Sequence, residues 1–193
     1  MKKIQTKTEI ERRNKRNYII IGIVMVFVLV IGTIGYAFTS KERVETKKEK
    51  ENYAGLEFIK TESGFWRTSV SGYEFFFQYL PKETSNITIP FVSLNEYNGK
   101  PLYFIIVNNE AANEISMNIG RFASRMPQEA CLAGRECKNA ELPEKNCSSN
   151  LIIFEEKNKT EVRREESCIF IESAYDEMTR AADAFVYKLL GIV

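Results

Sequence analysis

The feature that most constrains this chain is an uninterrupted apolar run. From Tyr18 to Phe38 no residue is charged and none is proline. A helix of that length rises ~31 Å, about the thickness of a bilayer's hydrocarbon core. A helix packed in a water-soluble core carries a polar stripe, and this run has none. It therefore predicts a transmembrane helix over 18–38. Residues 1–17 hold seven Lys/Arg (Lys2, Lys3, Lys7, Arg12, Arg13, Lys15 and Arg16) and two Glu, whereas residues 39–52 hold five Lys/Arg and four Glu. Basic flanks resist translocation. The expected topology is a single-pass plasma-membrane protein, N-terminus cytoplasmic, held in the lipid bilayer through residues 18–38. A signal peptide cleaved after Ala37 is the rival reading, because Gly35-Tyr36-Ala37 has the small-x-small form. The run is longer than the ~7–15 apolar residues of most signal peptides. Both readings place the remainder outside the cell membrane.

Four segments follow: a basic tail 1–17, the span 18–38, a charged spacer 39–52 and one extracytoplasmic domain 53–193. The formal charge of +1 hides an asymmetry. The tail carries +5 and the spacer +1, which leaves −5 for 53–193. An acidic domain is a poor partner for nucleic acid. All four cysteines (Cys131, Cys137, Cys147 and Cys168) lie in it and none precedes the span, as expected for disulfides in an oxidising compartment. Of the three possible pairings, Cys131–Cys137 closes a short glycine-containing loop and Cys147–Cys168 joins two strand starts. That pairing is expected. The spacing lacks the close cysteine pairs of a zinc site.

The domain begins with strand signals at 56–60, 64–70 and 73–79, the second and third separated by a Ser71-Gly72 turn. In "YEFFFQY", Tyr73, Phe75, Phe77 and Tyr79 alternate onto one face, the pattern of a half-buried strand. That aromatic stripe and Trp66 read as core rather than a sugar platform. A strand over 88–94 with Pro90 suggests a sheet edge, Asn98-Gly99 a hairpin turn, and "LYFIIV" (102–107) a strand covered on both faces. Residues 110–126 change to helical period, with Ala112, Ile115, Ile119, Phe122 and Met126 on one stripe, Asn109 as cap and Pro127 as stop. A cysteine loop spans 127–150. Strands at 151–156 and 168–173 follow, joined by a charged connection with room for a short hairpin strand. A helix over 173–191 closes the order, with Ser173 and Asp176 at capping-box spacing and Gly191 as its end. The expected fold is α+β: beyond the membrane helix, one mixed sheet with two helices packed on it. A right-handed crossover through the first helix should join 102–107 to 151–156.

The chain contains no histidine. That excludes Ser–His–Asp and Cys–His catalysis and histidine-ligated metals. No phosphate-binding or dinucleotide glycine motif occurs, and no cofactor is expected. The one constellation the strand order allows lies at a sheet edge. If 102–107 and 168–172 run parallel, Asn108, Asn109 and Glu110 approach Glu172, Ser173 and Asp176. Ligands favour that edge, although helix capping alone accounts for the same residues. Asn158 and Asn86 lie in N-x-S/T sequons and are glycan candidates, ahead of Asn146 beside Cys147.

The stretches "EACLAGREC", "NCSSNLIIFEE" and "CIFIESAYDEMTRAADAFVYKLLGIV" resemble small membrane-anchored exported proteins of archaeal type. They are similar, more faintly, to the strand–loop–helix units of archaeal surface-layer proteins. The resemblance covers roughly residues 127–193 and implies a location, not an activity. The function expected is a non-enzymatic, membrane-anchored envelope protein whose exported domain binds or scaffolds other envelope components. The alternative is a small anchored hydrolase working through carboxylates.

Overall fold

The computed structural model describes residues 7–39, 49–137 and 139–193. It divides into two units, Met1–Lys47 and Lys48–Val193. In the first, helix α1 runs from Lys7 to Thr39. Among the described residues no helix is long and apolar enough to cross a membrane. The side chains of α1 are described continuously over 15–31. The apolar part of that stretch, Tyr18–Ile31, rises ~21 Å, short of a ~30 Å hydrocarbon core. The side chains of 32–38 lie outside the described residues. The transmembrane helix expected over 18–38 is corrected accordingly.

The second unit opens with a meander: β1 (Lys50–Tyr53), β2 (Leu56–Lys60), β3 (Trp66–Val70) and β4 (Tyr73–Phe77), each antiparallel to the next. The two-residue turns Ala54-Gly55 and Ser71-Gly72 hold both residues at positive φ, the turn form whose twist matches flanking strands. Strand β1 lies within the stretch expected as spacer. Its Lys50 pairs with Glu57 across the hairpin, so charged residues here line a sheet edge; residues 40–48 of that stretch lie outside the described residues. Phe75 and Phe77 are buried as the alternation implies, and Trp66 joins the same core.

A short helix α2 (Pro81–Thr84) follows, with proline in its first turn. No strand forms over 88–94. Pro90 cannot donate to a ladder, and the neighbouring Thr88 carbonyl accepts from Val162 N–H instead. The Asn98-Gly99 turn therefore ends a 3-10 turn over Leu94–Glu96 rather than joining two strands. Strand β5 (Tyr103–Ile105) leads into α3 (Asn109–Ile119). The cap of α3 is Asn108, not Asn109: its Oδ1 accepts from Glu110 N–H at 2.9 Å and Ala111 N–H at 3.1 Å. The helix tightens into a 3-10 turn at Gly120–Phe122 and stops short of Pro127. Met126, expected on its buried stripe, is 84% exposed as a result.

Three two-residue strands interrupt the cysteine loop: β6 (Gln128–Glu129), β7 (Cys131–Leu132) and β8 (Glu144–Lys145). Then come β9 (Leu151–Glu156), β10 (Glu161–Glu165), β11 (Cys168–Ser173), a 3-10 turn at Tyr175–Glu177 and α4 (Met178–Leu189). A five-stranded sheet has the order β10-β11-β9-β5-β6. Within it β11, β9, β5 and β6 run parallel and β10 is antiparallel. The crossover through α3 thus links β5 to β6 at the edge, while β9 sits on the other side of β5. The domain holds separate four- and five-stranded sheets and a β7–β8 ribbon, not one mixed sheet.

The helices lie between the two larger sheets. Met178, Ala181, Ala182, Phe185 and Leu189 of α4 share one buried cluster with Phe58, Phe75 and Phe77 of the meander and Ile152, Ile169 and Ile171 of the other sheet. The Tyr187 ring stacks on Phe77 at 4.1 Å, and its hydroxyl donates to the Tyr79 carbonyl at 2.6 Å. Small alanines let α4 approach closely, and Gly191 ends it with φ +68. From α3, buried Asn118 clamps the outer meander strand. Its Oδ1 accepts from Phe76 N–H at 2.9 Å, and its Nδ2 donates to the Phe76 carbonyl at 2.6 Å. Asn118→Ala strands both main-chain groups. It should lower unfolding stability by about 1–3 kcal/mol, read as a lower urea midpoint with an unchanged slope. An unchanged midpoint would remove Asn118 from the docking of this sheet.

Candidate functional site

The carboxyl ends of β5, β9 and β11 do share one edge, as the sequence constellation requires. The six residues placed there do not converge. Asn108 caps α3 and donates from Nδ2 to the Tyr175 carbonyl at 2.9 Å, which ties the starts of the two helices together. Glu110 accepts from Gln78 Nε2 at 2.8 Å. Asn109 and Asp176 are exposed. Ser173 is buried, and its hydroxyl donates to the Ala174 carbonyl, so it does not cap α4. Glu172 accepts from Arg163 Nε at 2.6 Å. Neighbouring residues of a strand point to opposite faces, so Glu172 and Ser173 cannot line one site.

Glu172 lies in register with Glu155 on the adjacent parallel strand. Two like charges side by side are unfavourable, and cations answer them. Arg163 reaches both, and its guanidinium also lies 3.6 Å from the centre of the Phe170 ring. Arg135 bonds Glu155 at 2.5 Å, with Lys157 beyond. Burial opposes ionisation of Glu155, but the hydrogen bond and charge of Arg135, with Lys157 and Arg163, outweigh it and hold the carboxyl below its ordinary range.

Arg135 belongs to the segment that covers the second face of the five-stranded sheet. Two disulfides fix this segment, with the pairing the sequence implies. Cys131–Cys137 closes its loop with Cα atoms 5.6 Å apart, and Cys147–Cys168 fastens it to the start of β11 at 4.9 Å. Beneath the loop lies a cavity of about 230 Å³. Its walls include Ile105, Val107, Leu132, Leu142 and Ile153, with Arg135, Glu129 and Glu136 as its charged members. No group of three or more acidic or cysteine residues among the described residues is arranged to hold a metal ion. The sequon residues Asn86 and Asn158 are both exposed, and Asn86 Oδ1 accepts from Arg180 Nη1 at 2.8 Å.

A second set of groups was not singled out by sequence reasoning. Glu114 of α3 and Asp183 of α4 are 1% and 0% exposed. Asp183 Oδ2 accepts from the main-chain N–H of Gln78 at 3.0 Å and Tyr79 at 2.8 Å. Glu114 Oε1 and Asp183 Oδ1 are buried and have no hydrogen-bond partner among the described residues. Burial raises both pKa values, Asp183 strongly, and the charge of each neighbouring acid adds to this: Glu110 on Glu114 and Glu114 on Asp183. Tyr187 and Tyr79, beside the pair, are likewise raised by burial first. The available signal was positional: Asp183 interrupts an alanine stripe, and Glu114 precedes Ile115 on the apolar side of α3. This pair sits in the core.

No family model matches this chain, and no curated protein or solved structure matches it either. The similarity stated for residues 127–193 therefore carries no functional argument. What can be stated is the class of fold: an α+β unit with two helices between separate sheets and a disulfide-held segment over the outer face.

The buried pair makes a signed prediction. The folded state keeps a proton that unfolded carboxyls release above about pH 4. Stability from the pair is complete below that pH and falls as pH rises, by at most ~1.4 kcal/mol per unit for one retained proton. Glu114→Gln supplies an amide donor to Asp183 and removes one titrating group. The urea midpoint of the wild type should decline between about pH 5 and pH 8, and that of the variant should decline less. Parallel declines would exclude proton retention by this pair.

Proposed function

We propose that the Lys48–Val193 unit is an exported binding module, working by holding a ligand or envelope partner rather than by bond cleavage. The observation that carries this reading is the disulfide-held segment 131–150. Two cross-links and the β7–β8 ribbon keep it over one sheet face, with a cavity beneath its loop. Structural disulfides persist in oxidising compartments, which supports a location outside the cytoplasm. A rigid cavity wall lowers the ordering cost of binding. Hydrolysis through paired carboxylates needs both on one cleft. Glu110 is engaged by Gln78 on the helix side of the sheet, whereas Glu172 is engaged by Arg163 on the other. The carboxyls with raised pKa are enclosed in the core.

The test is thiol accessibility in cells that express the full chain. With a maleimide–polyethylene glycol tag applied under denaturing conditions after free thiols are preserved by acid quenching, the protein should show no tagged species before reduction. After reduction it should carry a tag on all four cysteines. Tagging before reduction would mean the cysteines are held as thiols, and the exported reading would fall.

A further inference from the structure

We infer that the cavity under the Cys131–Cys137 loop binds a free apolar α-amino acid in its zwitterionic form. The inference rests on the reading of this unit as a binding module and adds the ligand class.

Topology places the cavity where ligands collect. After β5 the chain turns into α3, whose Ala111 and Ile115 pack with Phe104 on the helix side of the sheet. After β6 it turns into the disulfide segment, whose Ala130 and Leu132 pack with Tyr103 and Leu151 on the opposite side. Two adjacent parallel strands thus send their connections to opposite faces. Such a switch point leaves a crevice at the carboxyl ends of the strands. The cavity lies there, with Val107 from beyond β5 and Cys131 and Leu132 from beyond β6 in its walls.

Size and chemistry narrow the occupant. A volume of about 230 Å³ is below the ~300 Å³ from which drug-sized pockets begin, so the ligand is small. The aliphatic walls suit a branched hydrocarbon side chain. The charged members have both signs. Arg135 is held by Glu155 through one nitrogen, Nη1, which leaves further N–H donors for a ligand. Glu129 and Glu136 have no ion-pair partner among the described residues. A fatty acid would bring a carboxylate for Arg135 but place it beside the carboxylates of Glu129 and Glu136. A simple amine would meet the glutamates and leave Arg135 unused. An amino acid answers both signs, its carboxylate to Arg135 and its ammonium to Glu129 and Glu136.

The test is isothermal titration of the full chain with L-leucine, isoamylamine and isocaproate, the last two being leucine without its carboxylate and without its ammonium. L-leucine should saturate with a Kd of about 1 mM or tighter, and each analogue should bind at least ~10-fold more weakly. Val107→Trp, made at a position 39% exposed on the cavity wall, should abolish binding. Arg135→Gln should weaken it ~10-fold, with a lower urea midpoint as well because Glu155 loses its principal cation. No saturation by L-leucine up to ~10 mM, an analogue binding as tightly as L-leucine, or unaltered binding by Arg135→Gln would each overturn the assignment. The thiol measurement stands apart from these results. Failure here with oxidised cysteines removes the amino acid and leaves an exported module; thiols found free remove the module itself.

Discussion

The domain is organised around a carboxyl group that has no access to water. Asp183 sits midway along α4, and two successive main-chain N–H groups after β4 donate to it. A charge in that place would be costly without partners. Burial favours its protonated form, and that and the two N–H donors make it tolerable. Replacing such a network with hydrocarbon often costs nothing in stability, so its value here is positional. The aromatic faces of the meander could slide over the apolar helices at little cost, whereas the carboxyl accepts Gln78 and Tyr79 in one register only. Asn118 repeats the device two residues before Gln78, on Phe76. Together they convert an apolar contact between a sheet and two helices into a single docking geometry.

The five-stranded sheet solves the opposite problem on its other face. Tyr103, Leu151, Ile153 and Phe170 require cover there, and no helix among the described residues of this unit supplies it. The segment 131–150 has little regular structure and few apolar side chains of its own. Two cross-links compensate by removing the freedom of the unfolded segment, each by a few kcal/mol in the chain-entropy account. One face is thus held by packing and polar register, the other by covalent closure. Where the covalent cover fails to reach the sheet, between the ends of β5 and β6, the cavity remains.

Much of the local structure was legible in the sequence. Residue patterns located the last three strands of the meander, the 151–156 and 168–173 strands and the two long helices of the domain, but not β1, which lay in the expected spacer. Cysteine placement gave the pairing. The errors have identifiable causes. The edge strand expected over 88–94 was overruled by one missing N–H at Pro90. Asn108 displaced Asn109 as cap because its side chain satisfies both the first turn of α3 and the Tyr175 carbonyl. The apolar N-terminal run has, over the side chains described, less length than a bilayer demands. Sheet order was not legible, because local pattern does not say which side of β5 receives β9. The cavity depends on that order, which is why Arg135, Glu129 and Glu136 drew no notice in the sequence. Glu172 and Ser173 were grouped although strand geometry sends them to opposite faces.

Chain order adds a temporal consequence. The element on which both sheets rest, α4, follows every strand that packs against it. While a ribosome is still delivering residues 178–189, the meander has its own hairpin contacts and those to α3, and the parallel strands lack the surface of α4 that would bury Ile169 and Ile171. Local hairpins form early and long-range packing waits for the whole chain. A polypeptide of this design stays loose until its closing helix emerges.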